Sequence, residues 1–166
     1  RIVHLLTATE VYRLRTNRNR NLVTQSEQEL LHAATIGIAG LSVGGSIATA
    51  LVQSGIGSSF NLCEFDTLAT KNLIRVRARL SDVGRPKADI VAENLWDVDP
   101  TLSLSFFEKL TPSTIDDFVW RTRQPAVIFE IIDSFVEKIL LRKIARERRI
   151  PVVMMANLGD SILIDV

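Results

Sequence analysis

Six residues between positions 40 and 66 have the types and the spacing of a nucleotide site: Gly40, Ser42, Gly44, Gly45, Glu64 and Asp66. A glycine-rich turn lets backbone N–H groups approach a phosphate, and the dipole of the helix that follows favours the same anion. Glu64 lies 24 residues beyond Gly40, close to the spacing of an acid that accepts hydrogen bonds from a ribose. Ser42 stands where the strict dinucleotide pattern has a glycine, so a turn that only allows tight strand-helix packing remains an alternative.

Further along the chain, an amide and two cations have the chemistry that a polyphosphate requires. Asn72 is a neutral donor, Arg75 a planar bidentate cation and Lys87 a mobile point charge. Asp133 directly follows the apolar run of residues 126–132, and an aspartate at the carboxyl end of a parallel strand can hold Mg²⁺ beside a ligand. The alternatives are ordinary surface charge for the first three residues and a helix cap for Asp133.

The elements that position these residues alternate between strand and helix. We predict strands at residues 35–39, 102–107, 126–132 and 152–156, a strand that ends at Glu64, and helices at 46–54, 87–97 and 135–149. Thr24 and Glu27 can form a capping box for an earlier helix, and residues 161–166 predict an antiparallel extension. This alternation predicts an α/β fold, a doubly wound and mostly parallel sheet with helices on both faces. Residues 1–34 form an N-terminal helical, arginine-bearing segment, and residues 35–166 the nucleotide-binding domain.

Composition narrows the class of protein. The chain has 166 residues, 46% of them hydrophobic, which suits one α/β domain with a large core. A net charge of +1 argues against a mainly electrostatic nucleic-acid binder. The single cysteine, Cys63, excludes an internal disulfide.

The sequence also bears on the location of the protein. Residues 36–57 are too rich in glycine and polar groups for a membrane helix. Because no signal peptide is recognisable, we expect a cytoplasmic protein. The absent initial methionine and the strand-like end suggest an excerpt of a longer chain.

Several separated motifs together resemble the ThiF/MoeB family, the bacterial relatives of ubiquitin-activating enzymes. The resemblance runs from residue 16 to residue 166. It rests on the glycine turn, on an N-L-x-R element at residues 72–75, on a G-x-x-K element at 84–87, and on a D-x-x-D-S-like element at 130–134. The turn and residues 147–156 are closest to a ThiF-like branch that is sometimes fused to a nitroreductase-like domain.

The resemblance implies an ATP- and Mg²⁺-dependent adenylyltransferase that activates a carboxylate, such as the C-terminus of a small sulfur-carrier or ubiquitin-like protein. It assigns Arg75 and Lys87 to the phosphates, Asn72 to orienting them, Glu64 to the ribose and Asp133 to Mg²⁺. It also implies a homodimer in which Arg20, within the remnant of an arginine motif at residues 19–21, reaches the ATP of the partner.

The departures from the family pattern leave two other functions open. Ser42 replaces a glycine, Glu64 an aspartate, and Val76 a common glutamine. These changes motivate a non-catalytic nucleotide-binding or scaffold module within a multidomain protein. An NAD-dependent dehydrogenase shares the first strand-helix-strand unit, but it would leave Asn72, Arg75 and Lys87 without a role.

Overall fold

The computed structural model describes residues 5–120, 123–157 and 162–166. Its strands are β1 (Thr35–Ala39), β2 (Ser59–Cys63), β3 (Ser103–Phe107), β4 (Val127–Glu130), β5 (Val152–Asn157) and β6 (Ile162–Asp165). They form one sheet in the order β3-β2-β1-β4-β5-β6. The first five strands are parallel, and β6 pairs antiparallel with β5. The mostly parallel sheet and its antiparallel extension are therefore confirmed, although position 161 lies outside the described residues.

Within the described residues, six helices connect or precede the strands: α1 (Ala8–Arg15), α2 (Gln25–His32), α3 (Leu41–Gln53), α4 (Lys87–Val98), α5 (Ile115–Trp120) and α6 (Phe135–Glu147). Short 3₁₀ turns lie at Asn17–Asn21, Thr70–Asn72 and Leu80–Asp82. None of these helices, of which the longest have 13 residues, has the length and apolarity that a membrane crossing requires.

Helices cover both faces of the sheet, as the doubly wound prediction requires. On one face, Ile36 and Ile38 pack in a cluster with Val52 of α3 and Leu95 of α4. On the other face, a second cluster joins the sheet to α5 and α6; it contains Ala39, Cys63, Phe118, Ile128 and Leu141. Successive strand residues point to opposite faces, so each of the strands β1 to β4 contributes side chains to both clusters.

The Thr24 side chain and Glu27 form the predicted capping box at the start of α2. Polar contacts join the N-terminal segment to the rest of the domain. The Tyr12 hydroxyl donates to the Gly55 carbonyl at 2.8 Å, and Arg15 pairs with the buried Asp99 at 2.7 Å. Residues 1–4 of the predicted N-terminal segment lie outside the described residues.

Candidate functional site

Gly40 joins β1 to α3 at the carboxyl edge of the sheet, in a conformation that requires glycine. Its φ of 93° is rarely adopted by other residues. A Cβ there would also lie 2.3 Å from the Ile131 carbonyl oxygen. The Gly40 N–H donates to the Cys63 carbonyl at 2.9 Å, and the Ile131 N–H donates to the Ala39 carbonyl at 2.8 Å. The ends of β1, β2 and β4 therefore meet at the N-terminus of α3.

The glycine turn is shorter than we predicted. We expected a turn over residues 40–45, but α3 begins at Leu41, so Ser42, Gly44 and Gly45 lie in the helix. A Cβ at Gly44 would lie 2.6 Å from the Ile38 side chain, and one at Gly45 would lie 2.8 Å from Val91. These two glycines allow α3 to approach β1 and α4, which agrees with the packing alternative for their role.

Glu64 follows β2 and folds back onto the start of α3. One of its carboxylate oxygens accepts the Leu41 N–H at 3.0 Å. The other accepts the N–H groups of Phe65 and Asp66, each at 3.0 Å. A carboxylate is well stabilised by helix N-terminal donors, and this arrangement brings the predicted ribose acid to the predicted phosphate turn.

Arg75 reaches the same first turn of α3 from a separate loop. Its Nε donates to the Ser42 hydroxyl at 2.9 Å. Asn72 is buried and ends the 3₁₀ turn that precedes Arg75. Its Oδ1 accepts the Ala69 N–H at 3.0 Å, and its carbonyl accepts the Arg75 N–H at 3.0 Å. Asn72 therefore positions the backbone from which the exposed Arg75 extends.

Lys87 begins α4 and is almost entirely enclosed, with a side chain only 5% exposed. Its ammonium group lies 2.8 Å from the Asp66 carboxylate, and its N–H donates to the Asp66 carbonyl at 3.0 Å. Asp66 is half exposed. The pair therefore joins a buried cation to an acid that solvent or a ligand can reach.

Cys63 lies at the end of β2, directly before Glu64. Burial, with smaller contributions from Glu137 and Glu64, raises the pKa of its thiol to about 12. The thiol donates weakly to the Glu108 carbonyl at 3.7 Å. At neutral pH the side chain is therefore a neutral, buried thiol.

Asp133 is exposed in the loop between β4 and α6. It makes no hydrogen bond or ion pair with any other described residue, and the N-cap of α6 is Ser134 rather than Asp133. No group of three or more potential metal ligands occurs in the described ranges. Mg²⁺ is commonly held by one or two carboxylates together with substrate phosphates, so a free aspartate at this edge fits such an ion.

Sequence reasoning missed the role of Glu130, the last residue of β4. Its side chain is fully buried, 3.0 Å from the Lys138 ammonium and 2.7 Å from the Arg142 guanidinium. Its Oε1 also accepts the Ile132 N–H at 3.3 Å. The sequence did contain a signal for this buried ion pair. An acid ends an apolar strand, and two cations follow 8 and 12 residues later on a predicted helix.

Arg20 is not brought to the other predicted site residues. It is exposed in the 3₁₀ turn Asn17–Asn21 and lines a cavity of about 360 Å³ between α1 and α2. Tyr12, Gln28 and His32 line the same cavity, and none of the other predicted site residues does. The contact of Arg20 with the ATP of a partner chain, which the family resemblance implies, therefore stays a prediction.

The chain is similar to proteins of one family. The model of the ThiF family matches residues 16–160. A protein of Mycobacterium tuberculosis described as uncharacterized protein MT1398 is 36% identical over 154 residues, which cover 92% of this chain and 21% of that protein. The tRNA threonylcarbamoyladenosine dehydratase of Escherichia coli is 28% identical over 133 residues, 79% of this chain and 48% of that protein.

The fold is also shared with a solved structure. The crystal structure of E. coli tRNA N6-threonylcarbamoyladenosine dehydratase, TcdA, in complex with ATP superposes with a TM-score of 0.83 at 24% identity, over 95% of this chain and 65% of that chain. This chain spans about a fifth of the length of the M. tuberculosis protein and about half of the length of the E. coli dehydratase.

Proposed function

Because this chain belongs to the ThiF family, we propose that it is an ATP-dependent adenylylating domain that activates a carboxylate. The observation that carries the proposal is the convergence of Glu64 and Arg75 on the first turn of α3, through Leu41 and Ser42. A ribose acid, a phosphate cation and a helix N-terminus are then adjacent. The ATP complex of a similarly folded protein supports the choice of nucleotide.

Each site residue has a role that follows from its surroundings. The first turn of α3 offers backbone N–H groups to the phosphates, and Arg75 and Lys87 neutralise phosphate charge. Glu64 accepts from the ribose hydroxyls, and Asn72 holds the turn that carries Arg75. In the free protein, Arg75 and Lys87 are bonded to Ser42 and Asp66, so ATP exchanges these partners for its own oxygens.

The reaction needs little covalent chemistry from the protein. A substrate carboxylate oxygen attacks the α-phosphorus, the bond to the bridging oxygen of the β-phosphate breaks, and pyrophosphate leaves with the electron pair. The product is an acyl adenylate, and no proton moves in this step. Catalysis then depends on orientation and on stabilising the charge that develops on the phosphates. Mg²⁺ would neutralise part of that charge, and Asp133 is the residue that would hold it.

Two sources of the carboxylate deserve testing. The first is the C-terminus of a small sulfur-carrier or ubiquitin-like protein, which the family resemblance implies. The second is a threonylcarbamoyl group on tRNA adenosine, because two relatives carry the name tRNA threonylcarbamoyladenosine dehydratase and a threonyl group bears a carboxylate. We also propose a homodimer in which the partner supplies an arginine at position 20.

ATP–pyrophosphate exchange with each carboxylate, on the full natural chain, tests the proposal. We expect exchange with one substrate class and a loss of at least 100-fold in Asp133→Asn, whereas the exposed helix residue Asp117 gives a matched control, Asp117→Asn, with unchanged exchange. ATP binding in calorimetry without exchange would instead support the scaffold function, and binding of NADH without ATP would support the dehydrogenase.

A further inference from the structure

Positive charge is concentrated in one short segment of the chain. Residues 138–149, which form most of α6 and the turn after it, hold six of the 20 lysine and arginine residues and one of the 19 acids. The segment therefore carries a charge of +5 and the rest of the chain −4. The net charge of +1 is the balance of these two regions, and it does not describe the surface of α6. A basic face of this kind suits a polyanionic partner.

The cations of this segment differ in how far they are already paired. Two of them neutralise the buried Glu130, as described above. Arg148 lies 3.4 Å from the Asp116 carboxylate, and solvent reaches both side chains. The last three are exposed and form an ion pair with no acid in the parts of the chain that the structure describes: Lys143, Arg146 and Arg149. These three charges are available to a ligand.

Arg149 occupies the turn after α6 in a backbone conformation that favours glycine. Its φ is 56°, and among the described residues it is the only non-glycine residue with a positive φ. The Ile150 N–H donates to the Ala145 carbonyl at 2.8 Å, and the Arg149 N–H donates to the Arg146 carbonyl at 3.1 Å. These bonds form a Schellman motif, in which the position of Arg149 is usually glycine. An arginine there costs stability, which indicates a use for its side chain.

An exposed tryptophan lies beside this basic segment. Trp120 ends α5 and is 57% exposed. The Arg148 guanidinium lies 5.7 Å from the centroid of its ring. The Gln124 amide donates to the Arg148 carbonyl at 3.3 Å, so the loop before β4 holds the end of α6 in place. An exposed aromatic ring next to arginine side chains is the combination on which the bases of a single-stranded nucleic acid stack.

We propose that RNA binds to this surface, which we call the basic face and which consists of five residues: Trp120, Lys143, Arg146, Arg148 and Arg149. The cations contact phosphates, and an unpaired base stacks on the indole ring. An acidic protein would also complement the charge, but the centre of a protein interface is depleted of charged residues, whereas here four cations surround one ring. The proposal goes beyond adenylylation and rests on the proposed function in one respect, because it gives the tRNA-linked carboxylate a docking surface.

Helix α6 connects the basic face to the candidate site. It begins at Phe135, two residues after Asp133, and ends at Glu147. Its 13 residues make it about 20 Å long, at a rise of about 1.5 Å per residue. RNA on the basic face is therefore about one helix length from Asp133. A folded RNA can span this distance, so one molecule can contact the basic face while its reactive nucleotide lies at the carboxyl edge of the sheet.

Fluorescence anisotropy with labelled, unfractionated tRNA and the full natural chain provides the first test. We expect Arg146→Gln combined with Arg149→Gly to weaken binding roughly ten-fold and to lower the slope of log affinity against log salt by about 1.5, because two phosphate contacts are lost. Arg13→Gln combined with Arg18→Gln removes the same charge from exposed positions of the N-terminal segment and should leave the affinity within about two-fold of wild type. Equal losses in the two double variants would overturn the proposal.

Arg149→Gly alone separates binding from folding. Glycine is the residue that this turn favours, so the variant should unfold at a higher urea concentration than wild type. Its affinity for tRNA should nevertheless fall about three-fold, because a phosphate contact is lost. A variant with a higher urea midpoint and wild-type affinity for tRNA would overturn the role of this arginine and with it the proposal.

Tryptophan fluorescence distinguishes RNA from an acidic protein. The chain has two tryptophans, so Trp96→Phe leaves only the emission of Trp120, which tRNA should quench and poly-glutamate should not. Poly-glutamate that binds as tightly as tRNA, or unchanged Trp120 emission at saturating tRNA, would overturn the proposal. Binding of tRNA by a protein without ATP–pyrophosphate exchange would support the basic face and contradict the proposed function. Exchange with a carrier-protein C-terminus by a protein that binds no tRNA would do the reverse.

Discussion

Glu64 and Glu130 end two parallel strands on either side of β1, yet their surroundings are opposite. Glu64 is partly exposed and accepts three backbone N–H groups, one of them from the start of α3. Glu130 is fully buried and is paired with two side-chain cations, Lys138 and Arg142. The same residue type at the same edge of one sheet is open to a ligand in one place and enclosed in the other.

The difference lies in what each carboxylate would lose by releasing its partners. The N–H groups around Glu64 can donate equally well to a phosphate or to water, so a ligand can replace the carboxylate at low cost. Releasing Glu130 would leave a charge without a partner in the core, which is among the more costly changes in a protein. Glu64 therefore suits binding, and Glu130 suits holding β4 to α6.

The largest effect is expected from Glu130→Gln on stability. The substitution keeps the shape of the side chain but removes the charge that pairs with Lys138 and Arg142, and we expect the free energy of unfolding to fall by about 3 kcal/mol. Both cations keep some solvent access, which places the cost at the lower end of the range for buried pairs. Urea denaturation measures the change.

Glu64→Gln is the matched control for that experiment, since it makes the same change at the other strand end. The single amide oxygen can still accept the N–H groups of Phe65 and Asp66, whereas the amide NH₂ cannot accept that of Leu41. One hydrogen bond is therefore lost, and the expected loss of stability is only about 1 kcal/mol. Equal losses in the two variants would contradict the distinction between a binding acid and a structural one.

Nucleotide affinity should respond in the reverse order. In the folded proteins, Glu64→Gln is expected to weaken ATP binding about ten-fold, because a charged acceptor for the ribose hydroxyls becomes a neutral one. Glu130→Gln should change the affinity less than about three-fold, since its side chain is fully buried and paired with α6. Calorimetry below the unfolding transition of both variants measures the ratio. A larger loss in Glu130→Gln would show that the loop to Asp133 depends on it.

The sequence predicted the fold well because hydrophobic runs and glycine positions are local signals. Gly40 was correctly placed at the end of β1, and Asp133 was correctly placed beyond β4. The start of α3 was wrong by several residues, since Gly44 and Gly45 resemble a turn but are used for close packing against Ile38 and Val91. That role depends on partners distant in the sequence.

The enclosure of Glu130 was equally hidden from the sequence. The family resemblance assigned Mg²⁺ to Asp133 and gave Glu130 no role. The burial of Glu130 and its pairing with α6 appear only when strand and helix are packed together. The contact of Arg75 with Ser42 likewise joins residues 33 positions apart. A periodic hydrophobic pattern identifies strands and helices. Contacts between residues distant in the sequence decide which polar side chains remain available to bind a ligand.

Cys63 gives the smallest and most local test, because it lies between the core and Glu64. Its pKa is raised to about 12 in the folded state by burial, with Glu137 and Glu64 contributing, from an ordinary value of 9.0. The unfolded chain therefore loses its thiol proton first as the pH rises above 9, and folding stability must fall with increasing pH. By pH 9.5 the loss is about 1 kcal/mol relative to neutral pH. The difference in unfolding free energy between pH 7 and pH 9.5 should be smaller by this amount in Cys63→Ala, which cannot titrate. Identical pH dependence in the two proteins would mean that water reaches the end of β2, and that the Glu64 end of the sheet is more open than its neighbouring core suggests.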